Sequence, residues 1–107
     1  MADATSLTKV LVQRGENSLT LVIQGDGAFR YNLFRLGDHR LVLDLPNVRP
    51  AIRFNELEVG HDILWRIRIG RHSGKTRMVL DLEPTRRRGV RYAAKSQGNQ
   101  LAIQLVY

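Results

Sequence analysis

Apolar and polar residues alternate with a period of two through almost the whole chain, and that rhythm leaves few folds open. Val10 and Val12 alternate with Lys9 and Leu11, and Leu19, Leu21 and Ile23 with Thr20, Val22 and Gln24. Phe29, Tyr31 and Leu33, then Leu41, Leu43 and Leu45, continue the pattern. The second half repeats it with Ile67 and Ile69, with Met78, Leu80 and Leu82, with Val90 and Tyr92, and with Leu101, Ile103 and Leu105. Successive side chains of a strand point to opposite faces, so each run offers one face to a core and one to solvent. The breaks carry turn chemistry: Gly15-Glu16-Asn17, Gly25-Asp26-Gly27, Leu36-Gly37-Asp38, Ser73-Gly74 and Gly98-Asn99. Eight short strands separated by turns predict an all-β sandwich or barrel.

The two halves also resemble each other. An offset of 57 takes Val10 to Ile67 and Leu21 to Met78, an offset of 61 takes Phe29 and Tyr31 to Val90 and Tyr92, and an offset of 60 takes Leu41, Leu43 and Leu45 to Leu101, Ile103 and Leu105. The drifts fall in turns, where insertions cost little. One four-stranded sheet leaves an apolar face bare, whereas two bury those faces against each other. The expected architecture is therefore a two-sheet β-sandwich built from two related four-strand repeats. Residues 1–6 read as a flexible tail, 7–46 as the first repeat, 47–62 as a crossover and 63–107 as the second repeat. Within the crossover, Pro50 opens Ala51 to Leu57, read as a loop with a helical turn that Gly60 ends.

A chain of 107 residues is one domain's worth of material. Its formal net charge is +7, and of seventeen basic residues fourteen are arginines. A guanidinium fork binds carboxylates and phosphates in a way that lysine cannot copy, so the expected partner is acidic. Nucleic acid, an anionic lipid surface and a carboxylate-rich polymer all satisfy that condition. The absence of cysteine removes disulfides, thiolate metal sites and thiol catalysis. No apolar run is long enough to span a bilayer, so no membrane insertion is expected. The first residues lack the basic and apolar regions of a signal peptide, which leaves a cytosolic protein or a mature fragment behind an added Met1.

No enzyme signature survives inspection. Gly70-Arg71-His72-Ser73-Gly74-Lys75-Thr76 is one residue short of a phosphate-binding P-loop and lies between two predicted strands, with no helix to follow. His39, His61 and His72 lie too far apart in sequence for a zinc site, and each neighbours a turn. No nucleophile-elbow pattern is present, and no pair of carboxylates is set apart for acid–base work. No metal and no cofactor are expected.

A twice-used strand stands out: Arg40-Leu41-Val42-Leu43-Asp44-Leu45 and Arg77-Met78-Val79-Leu80-Asp81-Leu82. In each, arginine, valine and aspartate share the outward face. Arg and Asp four apart on one strand are about 13 Å apart, so each needs a cross-strand partner, solvent or a ligand. A cross-strand ion-pair ladder, modest in energy at a surface, is the simplest outcome for any one of them.

At these residues the chain resembles the AMIN domain family. The resemblance runs from Leu7 to Tyr107 and is carried by Phe34-Arg35-Leu36, Arg40 to Pro46, Arg66-Ile67-Arg68-Ile69-Gly70 and Thr76 to Leu82. One departure is the turn before the first motif, where Gly37-Asp38-His39 replaces the usual proline. The resemblance implies a β-sandwich of two related sheets, a periplasmic location and a non-catalytic role in peptidoglycan binding and envelope localisation. Family members precede secretin domains of type IV pilus machines or N-acetylmuramoyl-L-alanine amidase domains. The Ile63 to Gly70 run and Lys75-Thr76-Arg77 look more like the secretin branch. The parent protein's other domains and pilus-assembly proteins are then further expected partners.

Peptidoglycan stems carry free carboxylates that suit an arginine-rich surface. The candidate ligand-binding residues are Arg40, Asp44, Arg77 and Asp81, with Arg66 and Arg68 on the adjoining strand, one site per motif copy. Trp65 and Phe34 are candidate stacking platforms, although a place in the core is the simpler role for each. Two other classes compete. A small nucleic-acid-binding β domain draws support from the charge and from Arg86-Arg87-Arg88 with Arg91, and is opposed by the inward positions read for Tyr31 and Tyr92. A protein-binding adaptor would use its strand edges.

Overall fold

The alternating runs form strands, and tight turns fold them into four hairpins. The computed structural model describes residues 2–85 and 89–107. Its strands are β1 (Ser6–Gly15), β2 (Ser18–Gly25), β3 (Asn32–Leu36), β4 (Arg40–Pro46), β5 (Arg49–Pro50), β6 (Glu56–Glu58), β7 (Leu64–His72), β8 (Lys75–Leu82), β9 (Arg91–Gln97) and β10 (Gln100–Val106). They make two five-stranded sheets: sheet I, in the order β5-β1-β2-β10-β9, and sheet II, in the order β3-β4-β8-β7-β6. The all-β, two-sheet expectation holds. The eight expected strands are joined by two short ones, β5 and β6, both inside the crossover.

Each sheet takes one hairpin from each half of the chain. β1–β2 and β9–β10 lie in sheet I, while β3–β4 and β7–β8 lie in sheet II. The registers follow the offsets read in the sequence. Adding 57 to both members turns the pair Val10↔Ile23 into Ile67↔Leu80. Leu41↔Leu80 in sheet II has the counterpart Leu101↔Ile23 in sheet I. The inward residues of both sheets form one core, in which Leu21, Ile23, Leu41, Leu43, Ile67, Met78, Leu80, Leu101 and Ile103 are fully buried.

Hairpin turns obey local chemistry. Ser73 and Gly74 both take positive φ, 50° and 77°, between the paired ends His72 and Lys75. Two central residues with positive φ twist a hairpin the way its strands twist. The P-loop lookalike is therefore a tight β-turn. Gly37, at φ 68°, turns β3 into β4 in a conformation that proline cannot adopt.

Three expectations give way to the structure. Ala51 to Leu57 has no helical turn, because its backbone is used sideways: Ala51 N–H donates to Leu7 O at 2.8 Å and Asn55 O accepts from Ile69 N–H at 2.8 Å. Residues 2–6 are pinned rather than loose. Asp3 bridges Ala28, Ala4 is buried in the core cluster, and Asp26 accepts from Thr5 N–H (2.8 Å), Thr5 Oγ1–H (2.6 Å) and Ser6 N–H (3.0 Å). Tyr31 and Tyr92 are 40% and 37% exposed, because Tyr31 precedes β3 and β9 is an edge strand. The Arg35 guanidinium lies 5.8 Å over the Tyr92 ring. Arg86, Arg87 and Arg88 lie outside the described residues.

The hydrogen bonds from Thr5, side chain first, together with that from Ser6, push the Asp26 carboxyl down to about 2. A depressed native value means that this contribution to stability is complete above the unfolded carboxylate range near 3.9 and is lost as pH falls through about 2. In an NMR titration the Thr5 and Ser6 amides should shift with a midpoint near 2. A midpoint at the ordinary value would show that the carboxylate does not hold this strand.

Candidate functional site

The outer face of sheet II gathers all six residues singled out from the sequence. An Arg-x-Val-x-Asp strand is self-complementary when two copies run antiparallel: with Val42 opposite Val79, Arg40 falls opposite Asp81 and Asp44 opposite Arg77. β4 and β8 adopt this register. The expectation of one site per motif copy therefore gives way to a single surface, because the copies are neighbours in one sheet.

The two ends of this ladder differ. Arg77 donates from Nε to Asp44 Oδ1 (2.8 Å) and from Nη2 to Oδ2 (2.9 Å), a fork that Lys75 Nζ completes at 3.0 Å. Lys75 was not among the residues marked from the sequence. Its signal was there, since it lies two residues before Arg77 and so on the same face. At the other end Asp81 turns away from Arg40, toward β7. It accepts from Arg66 Nε at 2.7 Å and from Arg68 Nε and Nη2, both at 2.9 Å. β7 supplies two arginines on this face, whereas β3, on the far side of β4, supplies Asn32, Phe34 and Leu36.

Both aspartates are 4% exposed. Hydrogen bonds from Arg77 lower the Asp44 carboxyl below its usual range despite its burial, with help from Lys75, and Asp44 in return raises Arg77. Burial alone pushes Asp81 up, and the bonds from Arg68 and Arg66 outweigh it, so its carboxyl also sits below the ordinary value. Both groups are ionised and already saturated with cations. Their geometry suits them to hold arginines in place rather than to meet a ligand.

Arg40 is left over. It makes no hydrogen bond or ion pair among the described residues, and its Nε is buried without an acceptor. A buried donor without a partner costs about 1–3 kcal/mol. Val42, beside it on this face, is fully buried between its cross-strand neighbours Phe34 and Val79. The outer face thus has an apolar floor with cations around it.

An irregularity in register between Leu64 and Arg66 re-aims Trp65. Its ring packs under the Arg66 guanidinium at 4.2 Å, and Arg66 also reaches Glu56 at 3.9 Å. Trp65 and Phe34 are both half-buried, so neither is a wholly interior residue. Along β7, Gly70 lies opposite Arg77 and leaves an open groove of about 270 Å³ lined by Arg68, Gly70, Arg71, His72, Arg77 and Val79. A Cβ at Gly70 would meet nothing within 4 Å. Among the described residues no group of His, Asp and Glu is arranged to hold a metal ion. The arrangement sets cationic side chains around an apolar floor.

No curated protein matches the chain. One family model does: the AMIN domain, over residues 9–105, nearly the whole chain. AMIN domains are non-catalytic periplasmic modules, found in secretins and amidases, that bind peptidoglycan and direct proteins to the cell envelope. With the sandwich, the paired Arg-x-Val-x-Asp strands and this match over nearly its full length, the chain belongs to the AMIN domain family.

Proposed function

We propose that the outer face of sheet II is the surface through which this domain holds peptidoglycan, and that Arg40 makes the first contact with a stem-peptide carboxylate. The observation that carries this reading is the unsatisfied Arg40 Nε, set on a face whose other arginines are already fixed by Asp44 and Asp81. Arg40 is half-buried and has no acidic partner among the described residues, so a carboxylate arriving at this face meets an uncompensated guanidinium. Arg68 and Arg77, held rigidly at the Gly70 groove, give a second anchoring point with little ordering cost. Asp44 and Asp81 act as positioning residues, and the apolar floor and Trp65 suit ring faces. The run Ile63 to Gly70 and Lys75 to Arg77 supports a place ahead of a secretin in a type IV pilus machine, with the parent's other domains and pilus-assembly proteins as neighbours.

Co-sedimentation with purified sacculi tests this reading. A hydrogen bond to a charged group contributes about 1.5–3 kcal/mol, so Arg40→Ala should lower retention about tenfold or more. The melting temperature should not fall, since Arg40 holds no partner in the fold. A folded Arg40→Ala protein that binds sacculi like the parent would remove Arg40 from the site.

A further inference from the structure

The outer edges of the two sheets are not alike. At one edge of sheet I, β5 is two residues long and contains Pro50. Behind it, the β1 ladder is irregular between Leu7 and Lys9, and Arg14 ties the end of β1 to Val59 O at 2.6 Å. In sheet II, β6 has three residues, and β3 turns Arg35 inward opposite the buried Leu41. Short strands, proline, irregular ladders and inward charges all keep an edge from pairing further. β9 has none of these devices. Its seven residues, Arg91 to Gln97, contain no proline and keep an unbroken ladder to β10. The inward side chains Tyr92, Ala94 and Ser96, opposite Leu105, Ile103 and Leu101, are all uncharged. Among the described residues no strand covers its far side.

The ladder also shows which backbone groups are free. Gly25 N–H donates to Asn99 O and Tyr107 N–H to Asn17 O, so the odd-numbered residues of β10 bond β2 and the even-numbered ones bond β9. Arg91, Ala93, Lys95 and Gln97 stand opposite the even-numbered ones. Tyr92, Ala94 and Ser96 therefore present their N–H and C=O groups to the open edge.

We propose that β9 pairs antiparallel with β9 of a second copy of this chain, about a two-fold axis at Ala94, joining their five-stranded sheets I edge to edge. The charges select the register. With Ala94 opposite its own counterpart, all seven residues pair and Tyr92 meets Ser96. Lys95 then falls opposite Ala93 and Arg91 opposite Gln97, so no cation faces another. Centring on Lys95 would set the two lysines against each other, and centring on Ala93 would set Arg91 against Lys95. Like charges directly opposite are destabilising. Such a two-fold pairing is closed, so it stops at a dimer. The inference does not rest on the peptidoglycan reading.

The test is sedimentation equilibrium of the full chain over a concentration series, with Ala93→Glu and Ala93→Lys measured beside it. Ala93 is exposed on the outer face, so neither substitution touches the core. The two-fold axis makes each change count twice. Ala93→Glu meets Lys95 of the second copy and should tighten the dimer about fivefold, and Ala93→Lys should loosen it about as much. Ala94→Pro removes an N–H that β10 does not use and should leave a folded monomer. The Ala93 pair decides the matter whether or not Ala94→Pro folds. A parent that stays monomeric at every concentration would overturn the proposal. So would a dimer that both Ala93 variants leave unchanged or move in the same direction, since another surface or another register would then hold it.

Discussion

Leu80→Ala should destabilise the sandwich by about 2–5 kcal/mol, read from the shift of its denaturant transition. Leu80 is fully buried on the central strand of sheet II, paired with Leu41 on one side and Ile67 on the other, both also fully buried. A cavity there is walled by two flanking strands and the opposite sheet, so little can collapse into it. Leu43→Ala should behave alike. Leu36→Ala, at a position 42% exposed, should stay within about 0.5 kcal/mol. No loss at either Leu43 or Leu80 would mean that the wrong face of these strands has been assigned to the core.

Asp81→Ala should cost about 2–4 kcal/mol, although Asp81 lies on the outer side of its sheet. Removing one partner of a buried ion pair typically costs about 3–5 kcal/mol, because the charge left behind is uncompensated. Arg66 and Arg68 retain partial access to water, at 27% and 39% side-chain exposure, which lowers that figure. A double-mutant cycle with Arg68→Ala should show strong coupling, since three hydrogen bonds converge on one carboxylate. A loss under about 1 kcal/mol would show that the cluster is solvated. The pH dependence has a definite sign. Asp44 and Asp81 both titrate below their usual value, so their contribution is complete above the unfolded carboxylate range near 3.9 and disappears as pH falls below it.

Asp81 and Arg40 differ in the partners that the fold gives them. Both residues are marked by the same motif and sit opposite each other in the ladder, yet one is saturated and the other unpartnered. The motif shows which residues share a face. It does not show that β7 lies on the other side of β8 and brings Arg66 and Arg68 to claim Asp81 first. Lys75 was legible by period two, two residues before Arg77 on the same face. The exposure of Tyr31 and Tyr92 was not legible, because alternation assigns a face and not a depth, and an edge strand leaves even its inward face partly open.

What the amino-acid order determined by itself was the set of long strands, the inward face of each and the turns between them. These are properties of consecutive residues: side-chain direction alternates with every peptide unit, and Ser73-Gly74 or Gly37 selects its turn through its own φ. What only the tertiary structure decided was adjacency. The sheets mix hairpins from both halves, the crossover spends its backbone hydrogen bonds on β1 and β7 instead of on a helical turn, and Asp81 pairs away from Arg40. Every alternating strand offers an equivalent ladder edge to any other. The choice among them is made by burying all the apolar faces in one core, a condition on the whole chain that no local run contains.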